Sequence, residues 1–109
     1  MLDVTFRRDS RDRLSSIFAD GHAGFAEHGE DIVCAAVSAI LQAARLGLQT
    51  HARTPLDVVQ DAGRLELRWP EGRRDDEAVK AIVATAELSV EQIASQYPDH
   101  VRFHRENEA

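Results

Sequence analysis

No segment limits this chain's choice of fold more than Ile32-Val-Cys-Ala-Ala-Val-Ser-Ala-Ile-Leu-Gln-Ala-Ala-Arg-Leu46. It contains no breaker, its alanines and leucines are strong helix formers, and its apolar run is interrupted only by Ser38, Gln42 and Arg45. The sequence predicts a helix over 32–48. Val33, Val37, Ile40, Ala44 and Leu48 fall on one side of it, and Ile32, Ala36, Ala39 and Ala43 on another. A helix apolar nearly all round must be covered on more than one side. A single sheet face does not do that, so a second subunit is expected to supply the rest. The polar interruptions argue for a buried helix and against a membrane span.

The start of this helix is where the chemistry concentrates. Asp31 is a favoured N-cap residue, which places Cys34, the only cysteine, in the first turn. The unsatisfied N–H groups and the positive dipole end of a helix stabilise a thiolate there. Asp31, Cys34 and Ser38 lie three and four residues apart and share one face. That polar strip is expected to line a site. Upstream, Gly21, Gly24 and Gly29 punctuate the sequence, and 24–30 is expected to be a mobile loop.

The remaining chain reads as alternating strands and one more helix. Leu2, Val4 and Phe6 alternate with polar neighbours, 8–12 is a polar turn, and 14–20 is extended with Ile17 and Ala19 inward. These two strands form a hairpin that delivers His22 at or just past its end. Residues 56–60 and 64–69 flank Asp61-Ala-Gly63 as a second hairpin, with Leu65, Leu67 and Trp69 on one face. Val79, Ile82, Val83, Ala86, Val90, Ile93 and Tyr97 then follow helical spacing up to Pro98, with Asp75, Asp76 and Glu77 at the start. Alternation over 100–104 suggests a last strand. The order is ββαββαβ, an α/β (α+β) fold with a largely antiparallel sheet and two main helices.

At 109 residues the chain is expected to be a single domain over 1–109. A net charge of -6 argues against direct nucleic-acid binding and suits a basic partner. One cysteine forms no internal disulfide, and the amino terminus shows no secretory pattern, so a cytoplasmic location is expected.

Gly21-His22-Ala23, followed by Gly29-Glu-Asp-Ile-Val-Cys-Ala-Ala-Val-Ser38, resembles the signature of the ribosomal-processing cysteine protease family, Prp. The resemblance runs from the first strand to Gln96-Tyr97-Pro98-Asp99. It implies a cysteine endopeptidase, needing no cofactor, that removes the amino-terminal extension of large-subunit ribosomal protein twenty-seven and acts as a homodimer. It makes Cys34 the nucleophile and His22 the base that later protonates the leaving amine. The oxyanion then falls to backbone N–H groups at the helix start.

Other roles stay open at this level. Asp31 caps the helix, orients His22, or does both. Ser38 contacts substrate or bonds back to the carbonyl of Cys34. Gly21 and Gly29 bound a loop that opens to admit an extended peptide. His22, His28 and Cys34 are spaced by six, too loosely for a typical zinc site, so no metal is assigned. His51, His100 and His104 need no special role, and Arg73-Arg74 reads as a solvated loop. The alternatives are a non-enzymatic ribosome-associated binding module, the same protease with another protein substrate, and a thiol redox sensor. The sensor is disfavoured because the chain holds no resolving cysteine.

Overall fold

The computed structural model describes residues 1–21 and 28–108, with 28–31 described by their backbone alone. The first strand, β1 (Leu2–Arg8), turns back into β2 (Leu14–Asp20). Asp9 makes that turn: its Oδ1 accepts from the N–H groups of Arg11 at 2.9 Å and Arg13 at 3.1 Å. Asp12 takes the left-handed conformation, φ 61°, which Asp tolerates better than most residues. Helix α1 (His28–Leu46) follows, continued by a π-helical turn over Gly47–His51. Then come β3 (Asp57–Asp61), β4 (Arg64–Arg68), a 3-10 turn (Glu71–Arg73), α2 (Glu77–Gln96) and β5 (Val101–Asn107).

The five strands form one sheet in the order β3-β4-β2-β1-β5. Three pairings are antiparallel, and β5 runs parallel to β1. The expected order ββαββαβ and mostly antiparallel sheet are what the chain adopts.

Topology decides where the helices lie. The connection β2–α1–β3 crosses towards one edge of the sheet, and β4–α2–β5 crosses towards the other. Strand β4 runs opposite to β2, so strand direction and crossing direction both reverse. Two right-handed crossovers related in that way put their helices on the same face. The helices indeed pack side by side.

The register gathers the apolar residues beneath them. Val4 faces Ala19 and Phe103, Phe6 faces Ile17, and Leu67 faces Ile17. These side chains join Val33, Val37, Leu41 and Leu48 from the first helical segment and Val79, Val83 and Val90 from α2 in one core. Trp69 is fully buried, and its indole N–H donates to the carbonyl of Leu14 at 2.9 Å.

Two expectations about the first helix are corrected. It begins at His28, not near Ile32, so 28–30 is helical and Gly29 is not a loop residue. The stretch Ile32–His51 is long and apolar enough to cross a membrane by length and composition, yet only 33% of its most apolar part is buried within the single chain. It is therefore not a buried helix: one side rests on the sheet and the other is open.

Candidate active site

Cys34 projects from the sheet-facing side of α1 and is 5% exposed. The earlier helix start changes the reason it could be reactive. With the first helical residue at His28, Cys34 lies in the second turn, beyond the orphan N–H groups of the first. Asp31 stands within the helix instead of capping it. Asp31 looked like a cap because Asp is favoured there. A glycine at the second helical position, as Gly29 is here, costs only about 1 kcal/mol relative to Ala, so the helix extends back across it. Stabilisation of a thiolate by the helix end is correspondingly weaker at that position.

A cavity of about 400 Å3 opens beside this cysteine. One wall is α1, through Cys34, Val37, Ser38, Leu41 and Gln42. The floor is the ends of the central strands, through Leu2, Ala19 and Leu65. The β3–β4 turn closes the far side with Gln60, Asp61, Ala62, Gly63 and Arg64. The interior is mainly apolar, whereas Ser38, Gln42, Gln60, Asp61 and Arg64 place polar groups in its lining. Helical spacing correctly brought Cys34 and Ser38 to one face.

Gly21, the last described residue before His28, also lines the cavity. Its N–H donates to the carbonyl of Gly63 at 2.9 Å, which ties the end of β2 to the β3–β4 turn. Its φ is +121°, and a Cβ there would run into the carbonyl oxygen of Met1. Only glycine suits this junction. His22, the next residue, and the residues from there to Glu27, where a mobile loop was expected, lie outside the described residues, as do the side chains of His28 and Asp31. Among the described residues no group of His, Cys, Asp and Glu is arranged to hold a metal ion.

Sequence reasoning missed the hairpin wall. Gln60, Asp61 and Arg64 reach the site only because β4 pairs with β2, which brings the second hairpin beside the first. No local pattern encodes that pairing. The inward alternation of Leu65 was the one available signal.

Known proteins share this arrangement over nearly their whole lengths. The ribosomal processing cysteine protease Prp of Bacillus subtilis is 33% identical over 106 residues, covering 94% of this chain and 95% of that protein. The protein of the same name from Staphylococcus aureus is 28% identical, covering 94% and 97%. In three dimensions the chain is similar to SMU.848 from Streptococcus mutans, with a TM-score of 0.90, 28% identity and coverage of 99% and 96%. A crystal structure of the S. aureus protease with a substrate peptide has the same fold, with a TM-score of 0.86, 24% identity and coverage of 96% and 99%. The model of the family described as Cysteine protease Prp matches residues 1–102, and this chain, a cysteine protease, belongs to that family.

Proposed function

We propose that the chain is a cytoplasmic, homodimeric endopeptidase that removes the amino-terminal extension of ribosomal protein twenty-seven through Cys34 and His22. The observation that carries this reading is the position of Cys34 on the wall of a largely apolar cavity bounded also by Gly21, the residue before His22. In the first step His22 takes the thiol proton, and the Cys34 sulfur attacks the scissile carbonyl carbon. The oxyanion collapses, the C–N bond breaks, and the imidazolium gives its proton to the leaving amine. Water, deprotonated by His22, then hydrolyses the thioester and restores the thiol.

With Asp31 inside α1, capping no longer accounts for it, and we assign it the orienting of His22. Ser38 faces the peptide. Gly21, which lines the same cavity, borders the bound peptide. Gly29, now helical, is left without a loop role.

The direct test is to incubate the protein with the host's ribosomal protein twenty-seven precursor and follow its mass. Loss of an amino-terminal peptide with wild type but not with Cys34→Ala supports reaction and substrate together. Absence of cleavage, with Cys34 still rapidly alkylated at neutral pH, discards the substrate and keeps the nucleophile. An inert Cys34 discards both.

A further inference from the structure

The sheet ends on two edge strands, β3 and β5. Of these, β3 is the one that meets the cavity beside Cys34, whose lining includes its last residues, Gln60 and Asp61. Among the described residues no strand pairs with the outer side of β3, and Asp57, Val59, Gln60 and Asp61 are all exposed. An uncovered edge is a row of backbone donors and acceptors that another extended chain can complete.

The register says which of these groups face outward. Strand β4 and its flanks send alternate residues to β2: the carbonyl of Gly63 accepts from Gly21 at 2.9 Å, and the N–H of Trp69 donates to Ser15 at 3.3 Å. Arg64, Glu66 and Arg68 therefore turn the other way, to Asp61, Val59 and Asp57. That leaves the N–H and C=O of Val58 and Gln60 directed away from the sheet. The guanidinium of Arg45 donates to Oε1 of Gln60 at 2.9 Å, which draws that side chain towards α1.

We propose that the outer edge of β3 binds the peptide substrate as an added strand, with basic side chains of the peptide opposite Asp57 and Asp61. This deepens the reading of Cys34 as the nucleophile and rests on it. Main-chain bonds to Val58 and Gln60 hold the peptide extended whatever its sequence, and its alternate side chains select it. At about 3.4 Å per residue, the five residues of β3 receive about five residues of substrate. The strand ends in the cavity wall at Asp61, so one end of the bound segment is delivered to the cavity that holds Cys34.

Charge selects the occupant. Asp57 and Asp61 lie four residues apart on one face of β3. Their cross-strand neighbours are engaged elsewhere: Arg64 stands over the ring of Phe18, and Arg68 pairs with Glu108. Both carboxylates are thus left without a hydrogen bond or ion pair among the described residues. Acidic residues guard an edge against a copy of itself, because like charges facing each other across a strand pair are destabilising. An added strand with Lys or Arg four residues apart meets both carboxylates instead.

Amide hydrogen exchange, followed by NMR on the Cys34→Ala chain so that peptide is bound and not cut, tests the proposal. The probes are two pentapeptides blocked at both ends, Lys-Val-Thr-Val-Lys and Glu-Val-Thr-Val-Glu. At saturation the lysine peptide is expected to slow exchange of the Val58 and Gln60 amides about tenfold or more, and the glutamate peptide to leave them unchanged. No protection at either amide overturns the proposal, and equal protection by the two peptides overturns its basic occupant. A second pair of variants, with circular dichroism as the folding control, separates edge from side chain. Gln60→Pro removes an outward N–H without touching the ladder to β4, whereas Gln60→Ala keeps that N–H and loses the Arg45 bond. Protection of Val58 is expected to survive the alanine and to vanish with the proline. Loss in both folded variants assigns the effect to the Gln60 side chain and overturns the edge. Neither readout uses ribosomal protein twenty-seven, so failure to cut that precursor and failure of the edge are told apart.

Discussion

Cys34 lies on the wall of a cavity, and its surroundings decide which substitutions speak to chemistry and which to folding. Cys34→Ala removes one sulfur atom from a site at the cavity edge and should leave the fold intact. Cleavage should fall on the order of 10^4-fold or more, as for loss of a covalent nucleophile elsewhere, measured as kcat/KM against a stability control. Asp31→Asn separates the two roles that the sequence left entangled. If Asp31 orients His22, kcat should fall about 10- to 1000-fold while the melting temperature barely moves, since the altered residue is no longer a cap. A comparable KM with an unchanged kcat would end that assignment. Gly21→Ala tests the junction after β2. The +121° backbone and the nearby Met1 carbonyl predict a loss of about 1–3 kcal/mol from strain at that residue alone, read from denaturant melts. The sequence displayed Cys34, Ser38 and the glycine at 21 as chemically suggestive. It could not show why position 21 must be glycine, because Met1 approaches it only after β1 and β2 have paired.

At the level of the elements, α2 was easier to read than α1. Its apolar spacing follows one face, and its cap has an unambiguous partner set: Asp76 Oδ1 accepts from Ala78 at 3.0 Å and from Val79 at 3.1 Å. Asp76→Ala should cost about 1 kcal/mol, detectable as a lower denaturation midpoint with the same slope. The start of α1 misled because Asp31, a favoured cap residue, stands in an acidic, glycine-bearing stretch where the boundary is weakly marked. Glu87 was invisible to pattern reading. It sits on the buried side of α2, 5% exposed, where a charge is tolerated only with a partner. Arg8 supplies that partner through two hydrogen bonds of 2.8 and 2.9 Å, and Arg105 adds a third contact at 3.3 Å. The interaction clamps α2 to β1 and β5. Glu87→Ala should therefore destabilise by roughly 1.5–3 kcal/mol, and its melt should show the loss even where cleavage per folded molecule is unchanged.

Across the whole molecule, ion pairs fasten the ends of the chain to its middle, a feature that depends on sheet order and so on contacts no local motif specifies. Alternation showed which strand faces are apolar, but not that β4 would neighbour β2 or that β5 would add parallel to β1. Once those pairings form, carboxylates from distant segments meet arginines. Arg102 and then His104 hold the Asp3 carboxyl below its ordinary range. Arg105 does the same for Glu91, and Arg68, aided by Ser15, for Glu108. Burial pushes Asp9 up, but the N–H groups of Arg13 and Arg11, with the guanidinium groups of Arg74 and Arg13, outweigh it and leave its carboxyl strongly acidic. A carboxyl held below its unfolded value stabilises the fold fully above that value, near pH 4, and loses the contribution as pH falls through the folded value. These groups should thus leave the melting temperature level from neutrality to about pH 5 and lower it progressively below about pH 4. Asp9→Asn keeps an oxygen that can accept in the turn but removes the charge facing Arg13 and Arg74. It should lower stability at pH 7 and make the decline below pH 4 shallower, because one fewer depressed carboxyl remains to be protonated. Melts of the two proteins across that range decide the matter: parallel curves would mean that Asp9 serves the turn alone, whereas convergence in acid would assign its charge to holding the first hairpin against the start of α2.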